Sequence, residues 1–397
     1  VGLSGGVDSS VAAYLLKQKG YEVHGVYANC FADDADCRNS QDHADAVKVA
    51  SLLGIKLETK DYRREYYKSV LELFYNEYDK GRTPNPDILC NSEIKFGVMA
   101  DNVFAQGADS CLATGHYVGN VRLNKDHFSA ELRSISNNVE SIEVITSLLY
   151  KDSTVGLNFL VSGFDVQKDQ SYFLYKLYDR IENLASYIFP LAEMAKADVR
   201  RIAASIGLDV AAKPDSQGIC FVGNMKLKDF IKNHVKNRQG DVINVKDELI
   251  GKHSGVQFYT IGQRHGLVIE TYSGSPLYIV DKILDKNTLV VGSRFDAYVY
   301  KFIISNFSFP YGIENFTVQI NNLKLLVRMR NLGKKIPCKV VSTLGAIAGD
   351  KNLEVCLSIP EFGVAPGQSA VFYVGRLMLG GGVIESTDSP YKNLTSK

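Results

Sequence analysis

Two short stretches hold residues whose types and spacing could do chemistry. The first is TPNPDILCNSEIKF, residues 83–96. Pro84 and Pro86 stiffen a turn that carries Asn85, Asp87 and then Cys90. Proline locks φ, so acid and thiol would keep a set relation to one another. The pattern predicts a helix starting right after the cysteine, and a thiol at a helix N-terminus has a lowered pKa. A buried thiol packed as a small hydrophobe fits the same stretch. The second is SGGVDSS, residues 4–10, between a strand end and a helix start. Gly5 and Gly6 let the backbone approach a phosphate closely, and Ser9, Ser10 and the helix N-terminus offer donors to an anion. Neither GxxxxGK[ST] nor GxGxxG occurs, so this is not a Walker loop or a dinucleotide fingerprint. With no lysine in the loop, Asp8 is expected to act on phosphates through a magnesium ion.

A second thiol stands in PDSQGICFVG, residues 214–223. Cys220 reads either as a buried strand thiol or, with its polar DSQG approach, as a sulfur that reaches a donor protein. Seven cysteines make an odd count, and none forms CxxC or stands at zinc-finger spacing with histidine. This excludes a disulfide scaffold and a structural zinc site as readings, and fits a reducing cytoplasm or an organelle matrix. Cys111, Cys338 and Cys356 lie in apolar β-runs and read as core; Cys30 and Cys37 flank an acidic loop and receive no role. The chain opens on Val1 rather than methionine, so its first few residues are expected to be missing.

The elements that must position these residues follow from periodicity. A length of 397 residues with 45% hydrophobic and 22% charged residues suits two or three globular domains. No apolar run has the ~20 residues of a membrane span. A net charge of +1 gives no global pull toward nucleic acid, so an RNA-binding face would be a local patch. Over the first ~115 residues strand and helix alternate, as an open, doubly wound parallel sheet requires. Val11, Ala12, Leu15 and Leu16 make one helix face, stopped by Gly20; Ala44, Val47, Ala50 and Leu53 make the next, stopped by Gly54. Residues 91–107 read as a further helix, and SCLATGH as a strand with glycine at its carboxyl end, where such sheets bind ligands. Residues 119–165 have no clear period and read as an insertion or extended loop. From about residue 256 the chain becomes short β-runs, VQFYTIG, PLYIVDKI, TLVVG, LLVRMR, CKVVST, LEVCLSI and AVFYVG. The expected fold is an α/β doubly wound domain over 1–213, a small central domain over 214–292 and a C-terminal all-β barrel over 293–397.

SGGVDSS resembles the pyrophosphate loop of the N-type ATP pyrophosphatases, which split ATP to AMP and pyrophosphate while adenylating a carbonyl oxygen. TPNPDILCNSEIKF, ATGHY, KDQSYFLY, PDSQGICFVG, IGQRHGL, APGQSAVFY and LGGGVI follow in this order. Together they resemble the tRNA-specific 2-thiouridylases over nearly the whole chain. That resemblance implies an ATP pyrophosphatase domain that uses ATP and magnesium, and a transferase acting on the wobble uridine of the tRNA anticodon loop. It implies ATP contacts at Gly2, Leu3, Ser4, Gly5, Gly6, Val7, Asp8 and Ser9, with Ala28 and Gly115. It places Asn85, Pro86 and Asp87 at the target base, and Lys168, Asp169, Gln170, His116, Arg328, Met329 and Gln368 against the tRNA. The family usually has an aromatic residue where Met329 stands. The implied chemistry is adenylation of the C2 oxygen, then sulfur transfer from a persulfide on Cys220 supplied by a donor protein. Cys90 is the second thiol, with a transient Cys90–Cys220 disulfide. Asp87 is the implied acid or base.

Two other classes share parts of the pattern. A small-molecule AMP-forming ligase would use SGGVDSS without needing Cys90, Cys220 or the barrel. An inactive RNA-binding protein would lack a cysteine or the loop aspartate, and all three are present.

Overall fold

The computed structural model describes residues 1–30, 37–123, 157–215, 230–231, 234, 238–270, 274–310, 324–342, 352–389 and 391. Residues 1–3 form the central strand of a parallel sheet. Leu3 N–H donates to Val26 O at 2.8 Å on one side and Gly2 N–H to Ala113 O at 2.9 Å on the other. Beyond the first lie β1 (His24–Asn29) and β2 (Lys56–Asp61), paired in parallel. Beyond the second lie β3 (Leu112–Ala113) and β6 (Tyr187–Ile188), also parallel. The spatial order is therefore β2, β1, residues 1–3, β3, β6. The order reverses between residues 1–3 and β3, and such a switch point is where open α/β sheets bind ligands.

Helix α1 (Val7–Gln18) leaves the first strand through SGGVDSS, burying Val7, Val11, Ala12, Ala13 and Leu16. Helix α2 (Cys37–Leu53) packs beside it. Its inward face is Ala46, Val49, Ala50 and Leu53, while Val47 is exposed. The expected face is thus rotated by one position, because Asp45 also turns inward to meet a lysine.

The region expected to be an extended loop is structured at both ends. Strands β4 (Val118–Leu123) and β5 (Leu157–Ser162) form an antiparallel hairpin, with Val118 opposite Ser162. β5 joins the C-terminal sheet through Leu377 and Val161. Residues 124–156 lie outside the described residues. The reading of an insertion or extended loop without regular structure is corrected for the two arms, which extend a sheet whose other strands come from the far end of the chain.

A second sheet has the order β10–β11–β7–β8–β9: β7 (Gly240–Asn244), β8 (Leu249–His253), β9 (Val268–Ile269), β10 (Tyr278–Ile283) and β11 (Thr288–Gly292). It encloses its own core of Val242, Ile250, Val256, Tyr259, Ile279, Leu289 and Val291. VQFYTIG, read as a β-run, instead forms a short 3₁₀ turn at Val256–Phe258. The third sheet comprises β12 (Tyr298–Ser308), β13 (Leu326–Arg328), β14 (Ile336–Ser342), β15 (Leu353–Phe362), β16 (Ser369–Val374) and β17 (Leu377–Thr387). The order β12–β15–β14–β13–β16–β17 closes by pairing β17 with β12, giving a six-stranded barrel.

Every residue of β16 is buried, because one face fills the barrel and the other meets a 3₁₀-type helix at Ser171–Ser186. Tyr172, Tyr175 and Tyr178 recur every third residue, the period of that helix, and so share one face. Their hydroxyls bond Ser369 O at 3.0 Å, Ser369 Oγ at 3.1 Å and Met378 O at 2.6 Å. A buried tyrosine needs a partner for its hydroxyl, and here the barrel strands supply it.

Beneath the same helix, Arg328 Nη1 donates to Asp169 Oδ2 at 2.8 Å, with side chains 5% and 2% exposed. Asp169 Oδ1 also accepts from the Gly163 and Ser171 amides, each at 3.1 Å. Partly buried Lys335 lies 3.8 Å above the Tyr373 ring and donates to Ser162 Oγ at 2.9 Å. Burial pushes Lys335 down to about 7, against the charge of Asp169 and reinforced by Arg328 and Arg376.

Two outcomes follow at this junction. Arg328→Met should lower unfolding free energy by roughly 3–5 kcal/mol, since it strands a buried carboxylate; an unchanged urea midpoint would remove the ion pair from the account. Between about pH 7 and 10 the unfolded chain holds a proton on Lys335 that the folded chain lacks, so this residue makes stability rise with pH. Lys335→Met should flatten that rise when urea midpoints are compared at pH 7 and 9.5.

Candidate active site

The loop after the first strand ends at the switch point. Gly5 turns at φ +73°, a conformation side chains disfavour. Gly6 is the N-cap of α1 and no side chain caps the helix, so the first-turn amides face outward for an anion. Gly115, at the carboxyl end of β3, lies flat against this turn. A Cβ there would sit 2.6 Å from Asp8 C and from Ser9 N. Ser9 Oγ accepts from the Ser4 amide at 3.2 Å and donates to Gly6 O at 3.1 Å, bracing the loop. Ala28, at the end of β1, is partly buried.

Asp8 is not alone. Its Oδ1 accepts from the Tyr117 hydroxyl at 2.8 Å, and Lys196 Nζ reaches Oδ1 and Oδ2 at 2.7 and 2.8 Å. Burial, then the nearby Asp8 carboxylate, pushes the Tyr117 phenol up, so it stays a donor. Lys196 also pairs with Asp215 Oδ1 at 2.8 Å. Asp215 receives Lys168 Nζ at 2.6 Å and Arg200 Nη2 at 2.8 Å. Burial alone would raise the Asp215 carboxyl; hydrogen bonds from Lys168 and Lys196, and their charges, outweigh it and hold it at about 2. On the other flank Lys213 Nζ donates to Gly5 O at 3.1 Å, Asp42 Oδ1 at 2.7 Å and Asp45 Oδ2 at 2.5 Å. The loop that lacks a lysine is thus flanked by two, both from about two hundred residues downstream. Sequence reasoning missed them because nothing in Ala195-Lys196-Ala197 or Ala212-Lys213-Pro214 sets either lysine apart from an ordinary surface one.

The cysteine turn differs from expectation in one respect. Asn85 is the N-cap, its Oδ1 accepting from the Asp87 amide at 3.2 Å, and Pro86 is the first helical residue. The helix therefore starts before Cys90 rather than after it, and the Cys90 amide already bonds within the helix. Asn followed by Pro is itself a helix-start signal. The dipole effect falls off within the first turn, so it acts on Asp87 more than on Cys90. Cys90 opens a π-helical stretch, Cys90–Val98, and is 5% exposed. Such bulges recur at functional sites.

One strand end knits this helix to the loop. Gly115 abuts α1, Tyr117 bonds Asp8, and the His116 ring between them lies 5.7 Å from that of Phe96 on the cysteine helix. His116 is buried beside Thr114 Oγ1 at 2.8 Å, and burial, then the charge of Lys95, holds its pKa well below the usual range. It is a neutral imidazole.

Family comparison decides the identity. A family model described as tRNA methyl transferase HUP domain matches residues 1–224. A tRNA methyl transferase PRC-barrel domain matches 228–293, and an aminomethyltransferase beta-barrel domain matches 299–384. The tRNA-specific 2-thiouridylase MnmA of Neisseria meningitidis serogroup C is 38% identical over 396 residues, covering 98% of this chain and 96% of its own. The protein of the same name from Salmonella arizonae is 40% identical over 393 residues, covering 97% and 96%. That from Histophilus somni is 39% identical over 392 residues, covering 97% and 92%. The chain belongs to the tRNA-specific 2-thiouridylase family.

Several residues expected to meet tRNA in this thiouridylase-family chain are interior. His116, Asp169, Arg328 and Met329 are 8%, 2%, 4% and 6% exposed. In this structure Asp169 and Arg328 neutralise one another, Met329 joins the core and His116 packs against Phe96. Gln170 Oε1 accepts from the Tyr117 amide at 3.0 Å, and Gln368 Nε2 donates to Thr83 O at 2.7 Å. Cys111 is exposed, Cys356 partly so, and Cys338 buried, so of the three expected core thiols one fits fully. Cys220 and the Cys37 side chain lie outside the described residues, as does any Cys90–Cys220 pairing.

Lys196→Met should raise the Asp215 carboxyl from about 2 toward the ordinary value of about 3.9. A depressed carboxyl stabilises the fold above its unfolded value and loses that contribution as pH falls through the folded one. In the variant the contribution should be smaller and lost nearer pH 4. A ¹³C NMR titration of the Asp215 carboxyl reads this directly, and an unmoved midpoint would dissolve the proposed network.

Proposed function

We propose that this chain places sulfur on C2 of the wobble uridine of tRNA, using ATP to activate the oxygen it replaces. The observation that carries the reading is the strand end 113–117, which ties the anion-binding loop to the helix of Asp87 and Cys90 in a chain of this family. Triphosphate would lie on the first-turn amides of α1, with Lys196 and Lys213 on either side. A magnesium ion on the phosphates would be held by Asp8, the carboxylate at that turn, and would offset phosphate charge.

In the first step the uridine C2 oxygen attacks the α-phosphorus and pyrophosphate leaves. Asp87, partly buried in the first turn of its helix, moves a proton at the base ring. In the second step sulfur from a Cys220 persulfide bonds to C2 and AMP leaves with the oxygen. The Cys90 thiolate attacks the inner sulfur of Cys220, giving a Cys90–Cys220 disulfide and leaving the outer sulfur on the base. Alternatively it attacks first and frees hydrosulfide, which adds to C2. Both routes balance: two thiol sulfurs are oxidised as the transferred sulfur is reduced, and a dithiol reductant resets the pair. A donor protein supplies the persulfide, and an unstacked anticodon base supplies selectivity.

The test is nucleoside mass spectrometry of tRNA after incubation with ATP, magnesium and a persulfide source. Wild type should form 2-thiouridine. Asp8→Asn should abolish pyrophosphate release, and Cys90→Ser should keep it but transfer no sulfur. Asp87→Ala should cut turnover by roughly 10²–10⁴ with tRNA affinity within a few-fold. Absence of 2-thiouridine from folded wild-type protein would overturn the reading.

A further inference from the structure

The three residues ahead of Pro84 are bonded to three distant parts of the molecule: β10, the 260 turn and the barrel. Gly81 O accepts from Lys282 Nζ of β10 at 2.9 Å. Thr83 Oγ1 meets Thr260 Oγ1 at 3.3 Å. From the barrel side, Pro366 O accepts the Thr83 amide at 2.8 Å and Gln368 Nε2 donates to Thr83 O at 2.7 Å. This approach is so close that a Cβ on Gly367 would lie 2.8 Å from Thr83 N.

Between those residues sits Arg82. Its Nε is 2.7 Å from Glu77 Oε2, at the end of the preceding helix. Its two Nη atoms reach both carboxylate oxygens of Glu385 on β17, and Nη2 also reaches Ile384 O at 3.3 Å. The Arg82 side chain is 18% exposed, so solvent screens these charges little. Three residues on, the Asn85 side chain lies beside the Tyr172 hydroxyl, which bonds Ser369 O of β16 at 3.0 Å.

We propose that Arg82 is a positioning residue: it locks the Gly81–Thr83 turn to the barrel and so sets where Asp87 and Cys90 stand. The proposal rests on the reading above for which residues do the chemistry. The barrel is then a wall of the active site as well as a surface for tRNA. Without the guanidinium, Glu77 and Glu385 face one another as like charges and push strand from helix. The turn follows, because its amide and carbonyl are bonded to the same barrel loop. Displacement of about 1 Å is enough to cost roughly 10² in rate. Arg82 touches neither base nor sulfur, so its effect should fall on turnover and not on binding.

Cysteine accessibility tests this without relying on activity. The full chain is treated with iodoacetamide and each thiol is followed by peptide mapping. Exposed Cys111 serves as the clock, and Cys338, buried in the barrel, reports unfolding. In Arg82→Met, and in the milder Glu385→Gln, Cys90 should react roughly tenfold faster relative to Cys111, while Cys338 stays protected. Arg82→Lys should recover part of the protection. Thiolation kcat of Arg82→Met should fall by roughly 10² with KM for tRNA within a few-fold. Cys90 protection unchanged in both variants would overturn the proposal. So would Cys90 and Cys338 opening together, which would make Arg82 a general stabiliser. If wild-type protein forms no 2-thiouridine, the functional reading fails while the alkylation ratios still judge the clamp.

Discussion

Asp169 and Arg328 are each tolerable in the interior only because the other is there. An isolated buried charge costs several kcal/mol, and good geometry with further hydrogen bonds is needed to offset that. Asp169 meets both, since it also accepts two backbone amides, while the buried Arg328 Nε has no hydrogen-bond partner among the described residues. The pair joins a loop of the α/β domain to a barrel strand more than 150 residues later, and it sets the seat of the tyrosine-rich helix between them. Hydrophobic contact alone would leave two greasy faces free to slide. A buried ion pair and three directed tyrosine hydroxyls define one register.

That register carries into the site. With the barrel fixed, its 365–368 loop and β17 meet the turn before Pro84, and the strand end 113–117 meets both α1 and the cysteine helix. The glycine-serine loop and the cysteine turn are therefore held by different parts of one packed structure. The cationic side of the loop is arranged likewise: Lys196 and Lys213 arrive from a distant helix and turn, each neutralised by two aspartates. An incoming polyphosphate would compete with those aspartates for cations already in place, so little reorganisation is required.

Much of the fold was legible because local rules govern it. The strand–glycine loop–helix at the start, the glycine stops at 20 and 54, and the C-terminal β-runs all depend on dihedral preference and hydrophobic period. The 256–258 turn was misread as a strand because a short apolar run has no period of its own. The start of the cysteine helix is written in Asn85-Pro86, five residues ahead of the expected start at Asn91.

By itself the sequence determined the alternating elements of the first ~115 residues, most strands of the C-terminal barrel, the motif order and the residues that could bind phosphate or carry sulfur. Those properties belong to single side chains and to neighbours a few residues apart. Only the tertiary structure decided that residues 118–123 and 157–162 extend the barrel sheet. It alone decided that Arg328 lies inside, and that Asp8 shares Lys196 with Asp215. Strand partnership and ion-pair choice depend on which distant segments the closed barrel and the parallel sheet bring within about 3 Å, and no local period encodes that distance.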